Sequence, residues 1–182
     1  MIKLKALLED MTTPPPAIHQ SAHEFSPKFI DYIKSVENGG KVGFKNGKWF
    51  PHKSPEGGSR TIAYGHKIIS GEENQFSNGI SDSAAEKLLI ADLSNAKRKV
   101  YSDIKKMFSV QVPLDFRQEE MLTDYTYNLG TLTGFPKFVR AVLNREWNTA
   151  KKEYVRSFKD SGGERHTLAR NKAFFDVFLK NV

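Results

Sequence analysis

The segment between residues 41 and 68 constrains the fold most, because it favours strands whereas the sequence on both sides favours helices. Its β-branched and aromatic residues include Val42, Phe44, Trp49, Phe50, Thr61, Ile62 and Tyr64. Asn46-Gly47 separates two such runs, and both residue types accept the positive φ of a tight hairpin turn. Glu56-Gly57-Gly58 marks a second break. We therefore predict a small antiparallel sheet of two or three short strands here.

A helix is predicted just before this segment. Ser26-Pro27 combines a capping residue with proline at the first helical position. An apolar face then recurs at helical spacing through Phe29, Ile30, Ile33 and Val36. We expect the helix to end near Asn38-Gly39-Gly40, with glycine in the left-handed conformation. Glu37 then lies in its last turn.

From residue 81 onward the pattern is helical to the end. Ser83 and Glu86 have the spacing of a capping box at the start of the first of these helices. Later helices are predicted over 115–129, 136–143, 146–158 and 167–179. The fold class is therefore α+β. Residues 25–182 are predicted to form one domain, and residues 1–24, which contain three consecutive prolines, a flexible N-terminal tail.

Composition excludes several classes of function. The chain has 28 Lys and Arg against 21 Asp and Glu, a formal charge of +7 that favours an anionic partner. A nucleic-acid binder is disfavoured because basic and aromatic residues form no reading motif. With no cysteine and no His-Glu-x-x-His helix, a metal site is not expected. No apolar run of about 18 residues is present for membrane insertion, and residues 1–11 are too short and charged for a secretory signal.

Glu37 is the residue to which we assign chemistry. Breaking a glycosidic bond requires a proton donor for the leaving oxygen. A carboxyl group at a helix end, facing a cleft lined by a hairpin, is partly desolvated, and desolvation favours the protonated acid. A glutamate at a helix end is by itself weak evidence, so its context has to carry the assignment.

That context resembles the phage lysozymes of the T4 type, glycoside hydrolase family 24. In that family a glutamate ends the first long helix, and a hairpin follows that finishes in Thr-x-Gly-x-Gly-His. The matching run here is Thr61-Ile62-Ala63-Tyr64-Gly65-His66. Further matches over about 155 residues are Ile80-Ser81-Asp82, Asp92, Tyr127-Asn128-Leu129-Gly130 and Ala169-Arg170-Asn171-Lys172.

The resemblance implies a lysozyme-like fold, with a long connecting helix and a C-terminal helical lobe. It also implies a muramidase that cleaves peptidoglycan between N-acetylmuramic acid and N-acetylglucosamine without a cofactor. The enzyme is then expected to be a monomer that binds neither nucleic acid nor, stably, a membrane. It would wait in the host cytoplasm before release to the wall, or be carried on the virion.

The resemblance further implies roles for individual residues. Glu37 would be the acid, and Thr61 would hold the attacking water. Arg170 would orient Glu37, with Arg165 as a competing candidate, and a structural His66–Asp92 pair would join the sheet to the long helix. Substrate contacts are expected from Asn128, Gly130 and Tyr64, although Tyr64, like Trp49 and Phe50, is equally suited to the hairpin core.

One departure from the family leaves the second catalytic group open. The family has an aspartate six residues before the threonine, and this chain has Pro55 there. Matching Phe50-Pro51-His52 to the family's Tyr-x-Asp stretch replaces the aspartate with His52, a candidate general base. Ser54 and Glu56 are nearby alternatives. Without a second group, Glu37 alone is compatible with lytic transglycosylation, which forms anhydro-muropeptides.

Overall fold

The computed structural model describes residues 24–54, 60–159 and 165–180. The predicted tail up to residue 23 and the alternative base Glu56 lie outside these ranges. In chain order the elements are α1 (Pro27–Asn38), β1 (Phe44–Lys45), β2 (Lys48–Trp49), β3 (His52–Lys53), β4 (Arg60–Ile62), β5 (His66–Lys67), α2 (Glu73–Phe76), β6 (Ile80–Ser81), α3 (Asp82–Phe108), α4 (Phe116–Leu129), α5 (Pro136–Leu143), α6 (Trp147–Tyr154), β7 (Ser157–Lys159), β8 (Arg165–Thr167) and α7 (Ala169–Phe178). The α+β prediction is confirmed. None of the described helices combines the length and the apolar character needed to cross a membrane.

The strand-rich segment forms more strands than predicted. Strands β1, β2 and β6 make one antiparallel sheet, and β3, β4 and β5 make a second. Asn46 and Gly47 have φ of 50° and 75°, as a tight hairpin requires. The prediction of two or three strands was too low because the strands are only two or three residues long, and Ile80–Ser81 pairs from outside the segment.

Helix α1 begins as predicted and ends differently. The Ser26 hydroxyl accepts a hydrogen bond from the Phe29 amide at 3.1 Å, which satisfies one of the free donors of the first turn. At the other end Gly39 keeps right-handed angles, with φ of −59°. The predicted left-handed glycine cap was therefore wrong; Lys41, at φ 51°, is the residue that turns the chain.

The long helix α3 starts two residues earlier than the capping box predicted. Ser81, not Ser83, is the N-cap, and its hydroxyl accepts from the Ala84 amide at 3.2 Å. Ser81 also ends strand β6, so one residue closes the sheet and opens the helix. The capping-box spacing of Ser83 and Glu86 was coincidental.

Helix α6 is shorter than the predicted 146–158, and an antiparallel hairpin of β7 and β8 follows it. A distant residue fixes the chain where the helix ends. Asn171 on α7 accepts from the Arg156 amide at 3.1 Å and donates to the Arg156 carbonyl at 2.7 Å. The predictions of helix to residue 158 and of helical structure to the end were wrong because periodicity does not register such a contact.

An aromatic core joins α1 to the C-terminal helices. The rings of Tyr154 and Phe174 stack with centroids 3.5 Å apart, and Phe29 lies 6.0 Å from Phe178. All four side chains are buried, and aromatic pairs of this kind add to the stabilisation from area burial. Helix α1 thus packs in the helical lobe while its last turn meets the sheets, which places Glu37 at the junction.

Candidate active site

The end of α1 is fixed to the sheet region by the residue after Glu37. The Asn38 side chain donates to the carbonyl oxygens of Ala63, at 2.7 Å, and Val42, at 2.9 Å. Its own oxygen accepts from the Val42 amide at 2.8 Å. Asn38 is buried, so these bonds hold the helix end against the turn that follows β4.

That turn brings backbone close to the Glu37 carboxyl group. Gly65 is exposed and has a φ of +95°, and a Cβ placed on it would lie 3.4 Å from Glu37 Oε2. Only glycine adopts this conformation at little cost and leaves that space empty. The Tyr127 hydroxyl donates to the Tyr64 carbonyl at 2.8 Å and fixes the turn from the side of α4. Oε2 therefore borders an open position.

The other carboxyl oxygen of Glu37 is held by an arginine. Arg170 Nη1 donates to Glu37 Oε1, and Arg170 Nη2 donates to Asp124 Oδ1 at 2.5 Å. The exposed fractions of the side chains are 17% for Glu37, 9% for Arg170 and 0% for Asp124. One guanidinium group thus bridges a fully buried carboxylate and one at the edge of the site.

Asp124 receives two further hydrogen bonds. The Tyr32 hydroxyl donates to Oδ1 at 3.0 Å, and the Tyr154 hydroxyl donates to Oδ2 at 2.9 Å. A buried carboxylate is costly unless it is paired and hydrogen-bonded. Arg170 supplies the opposite charge, and Arg170, Tyr32 and Tyr154 together supply three hydrogen bonds to Asp124.

Electrostatics at Glu37 favour its acid form. Burial raises the pKa of Glu37 above its ordinary value, and the opposing charge of Arg170 lowers the pKa by less. The hydrogen bond from Arg170 also lowers the pKa of Glu37, whereas the charge of Asp124 raises it and that of Arg156 lowers it. For Arg170, burial acts to lower the pKa, but Asp124 and Glu37 raise it well above its ordinary value. Arg170 is therefore the fixed charge, and Glu37 is the group able to exchange a proton.

A second arginine lies beside the first. Arg156 donates to the side-chain oxygen of Asn128 and to the Tyr154 hydroxyl, and its guanidinium group lies 4.6 Å from the centre of the Tyr154 ring. Asn128 is exposed at the end of α4. Gly130 is the left-handed cap of that helix, at φ 77°. These residues form a polar edge near Arg170.

The two candidates for handling water are neighbours on the second sheet. His52 on β3 is directly opposite Thr61 on β4, so their side chains share one face of the sheet. His52 Nδ1 lies 3.1 Å from the Thr61 carbonyl oxygen. Because a carbonyl oxygen only accepts, Nδ1 carries the hydrogen and Nε2 is left as an acceptor. Burial, and then the charge of Arg60, lowers the pKa of His52, which favours this neutral form.

Four of the predicted site residues therefore form two contacting pairs, Glu37 with Arg170 and His52 with Thr61. Among the described residues no hydrogen bond joins one pair to the other. They are connected through β4, which runs from Thr61 into the turn at Glu37. Arg165, the competing candidate, has its backbone in β8.

The pair implied between the sheet and the long helix is present. His66 Nδ1 lies 2.8 Å from Asp92 Oδ2 on α3, and Nε2 lies 3.4 Å from Glu72 Oε2. The hydrogen bond with Asp92 raises the pKa of His66, against the lowering effect of burial. This pair stabilises the sheet behind the turn.

That Tyr64 binds substrate stays a prediction, and the structure places the residue in the core beside the hairpin. The residue is 7% exposed, and its ring centroid lies 4.9 Å from that of the fully buried Trp49. Its hydroxyl donates to Asp82 at 3.3 Å. Tyr64 therefore belongs to the hairpin core, the other role that its sequence allowed. It contributes to the site through its carbonyl group.

Sequence reasoning missed Asp124, and one signal for it was present. Met121, Leu122 and Tyr125 around it are buried, so Asp124 lies on an apolar helix face. A charged residue at such a position is rarely buried without a partner.

Among the described residues, no group of three or more His, Cys, Asp and Glu side chains is placed to hold a metal ion.

Comparison with solved structures defines the class of fold. The crystal structure of a mutant P22 lysozyme matches with a TM-score of 0.59 and 19% sequence identity, covering 86% of this chain and 99% of that one. The chain thus has a lysozyme fold. No curated protein sequence matches significantly.

The family follows from the sequence itself, because the family model for phage lysozyme matches residues 48–173. The chain belongs to the phage lysozyme family. Thr61, Asn128, Gly130 and Arg170 lie inside the matched span, whereas Glu37 lies before it.

Proposed function

We propose that this lysozyme is a muramidase that hydrolyses the β-1,4 bond between N-acetylmuramic acid and N-acetylglucosamine in bacterial peptidoglycan, with Glu37 as the general acid. The observation that carries the proposal is the asymmetric setting of the Glu37 carboxyl group. Arg170 occupies Oε1, while Oε2 faces the exposed Gly65, where a side chain is absent. A proton on Oε2 would be available to a leaving glycosidic oxygen.

We assign the water to the neighbouring sheet face. Thr61 would position the attacking water with its hydroxyl, and His52 would accept a proton through Nε2. The shared sheet face and the lowered pKa of His52 support this assignment. No metal or organic cofactor enters the proposed reaction.

Asn128, Gly130 and Arg170 are proposed to border the bound glycan. Asn128 and Gly130 are exposed at the end of α4, and Arg156 donates a hydrogen bond to the Asn128 side chain. The amide side chain of Asn128 suits the acetamido groups of amino sugars, because both groups donate and accept hydrogen bonds.

The proposed partner is the anionic bacterial wall. A charge of +7 would concentrate the enzyme on that polymer. We propose that it acts as a monomer without nucleic acid or inserted membrane segments. Membership of a phage family supports action after release from the host cytoplasm, or from a virion.

Mass spectrometry of the soluble products from purified peptidoglycan tests the reaction type. Muropeptides with reducing ends are expected from hydrolysis. Anhydro-muropeptides would instead indicate transglycosylation, in which the 6-hydroxyl of the sugar replaces water and no base at His52 is needed. Intact glycan strands would contradict both reactions.

A further inference from the structure

We propose that Asp124 is a positioning residue that takes up the positive charge of Arg170 and thereby keeps Glu37 able to bind a proton. Asp124 is on α4 and its side chain is fully buried, so it is out of reach of a bound glycan. It acts on Glu37 only through Arg170 and through space. The inference rests on the proposed function only for its consequence on rate.

The charges of the three groups do not balance when all are ionised. Arg170 contributes one positive charge, and Asp124 and Glu37 contribute two negative charges. One carboxylate therefore lacks a counter-charge. Asp124 has three donors and is fully buried, whereas Glu37 has one donor and is 17% exposed. Glu37 is the group that protonates at lower cost.

The geometry of the guanidinium group supports this division. Arg170 presents Nη2 to Asp124 and Nη1 to Glu37, so the two carboxylates share one cation. Without Asp124, the whole charge of a nearly buried arginine would face Glu37. An opposite charge at that distance favours the ionised carboxylate, and an ionised Glu37 cannot donate a proton.

Other groups face Glu37 without replacing Asp124. Arg156 also carries a positive charge, but its guanidinium group is held by the neutral Asn128 and Tyr154. Tyr127 lies beside the same turn, and burial raises its pKa, so it stays neutral. Tyr32 is likewise neutral, since burial and the charge of Asp124 raise its pKa. Among the described residues, Asp124 is thus the carboxylate besides Glu37 that pairs with Arg170.

Carbon-13 NMR of the glutamate carboxyl groups tests the proposal without substrate. The Glu37 resonance is assigned by its loss in Glu37→Gln. In Asp124→Asn, which preserves size, the titration midpoint of Glu37 should move to lower pH. The matched control is Asp103→Asn, which alters another buried carboxylate with three donors, Lys99, Thr131 and the Leu132 amide, on α3. Its Glu37 midpoint should stay at the wild-type value.

Tyr32→Phe guards against a folding failure of Asp124→Asn. It removes the hydroxyl that donates to the same Asp124 oxygen as Arg170. Asp124 then holds Arg170 more strongly, and the Glu37 midpoint should move to higher pH. An unchanged midpoint in folded Asp124→Asn, or an unchanged or lowered one in Tyr32→Phe, would overturn the proposal and leave Asp124 with a purely structural role.

The rate consequence separates this inference from the proposed function. If Glu37 is the acid, activity falls as pH rises through its midpoint, so this fall should occur at lower pH in Asp124→Asn. If Glu37→Gln retains activity, the proposed function fails, and the NMR titration still decides whether Asp124 controls Glu37.

Discussion

At the scale of single residues, Gly65 is needed for its lack of a side chain as well as for its conformation. A methyl group there would be strained at φ +95° and would lie 3.4 Å from Glu37 Oε2 and 3.6 Å from the Tyr127 hydroxyl. The strain costs about 1–2 kcal/mol. Gly65→Ala should therefore lose stability and, in addition, lose activity because the methyl group covers the acid.

Gly47→Ala is the matched control for this substitution. Gly47 has a φ of +75°, and nothing lies within 4 Å of its Cβ position. It should show a similar loss in thermal denaturation and keep wild-type activity per folded molecule. Equal activity losses in the two variants would mean that only backbone strain matters at Gly65.

His52 is the second residue whose role a substitution decides. As a general base it would contribute roughly a hundredfold or more to the rate, so His52→Ala should lose that much kcat on peptidoglycan. Lys53→Ala, an exposed neighbour in the same strand, is the control. A change in His52→Ala of only a few-fold would transfer the role to Glu56 or to no second group.

At the scale of elements, the His66–Asp92 pair joins β5 to α3 and should make stability depend on pH. The pKa of His66 is raised in the folded protein, so its pair with Asp92 stabilises fully below the unfolded pKa of about 6.5. That contribution is lost as pH rises through the folded pKa. A hydrogen bond to a charged group contributes about 1.5–3 kcal/mol.

Urea denaturation of the wild type and Asp92→Asn over pH 5–9 measures this contribution. The difference in unfolding free energy should be largest at acidic pH and shrink as pH rises. A difference that is constant over this range would show that the pair does not titrate as the structure implies.

The elements that sequence could predict are those with local causes. The Ser26 cap, the apolar face of α1 and the Asn46-Gly47 turn depend on residues close in the chain, and all three are present. The end of α6 depends on Asn171, which is distant in sequence. The helical spacing of residues near the chain end of α6 therefore predicted a helix that was too long. The start of α3 was misplaced because Ser81 and Ser83 both offered a hydroxyl.

At the scale of the whole molecule, the order of patterns was enough for the fold class. A helix, a strand-rich segment and a set of helices permit few arrangements other than α+β. The candidate site was only partly predictable. Glu37 and Arg170 came from the family resemblance, whereas the Asp124 cluster joins α1, α4, α6 and α7 and exists only after packing.

The net charge predicts a dependence on ionic strength. The Debye length falls from about 10 Å at 0.1 M salt to about 3 Å at 1 M, so attraction between a +7 protein and an anionic wall weakens. Solubilisation of whole peptidoglycan should slow as salt is added. A short uncharged glycan is the control substrate, and its cleavage rate should hardly change; equal slowing on both would contradict attraction to the wall as the cause.

The central claim is that Glu37 donates the proton, and the most direct measurement compares wild-type and Glu37→Gln protein on dye-labelled insoluble peptidoglycan. Glutamine keeps the size of the side chain and cannot act as an acid, so release of soluble dye should fall by about 10²–10⁴-fold. Circular dichroism and the melting temperature should show a folded variant. A folded Glu37→Gln protein that releases dye at the wild-type rate would contradict the mechanism.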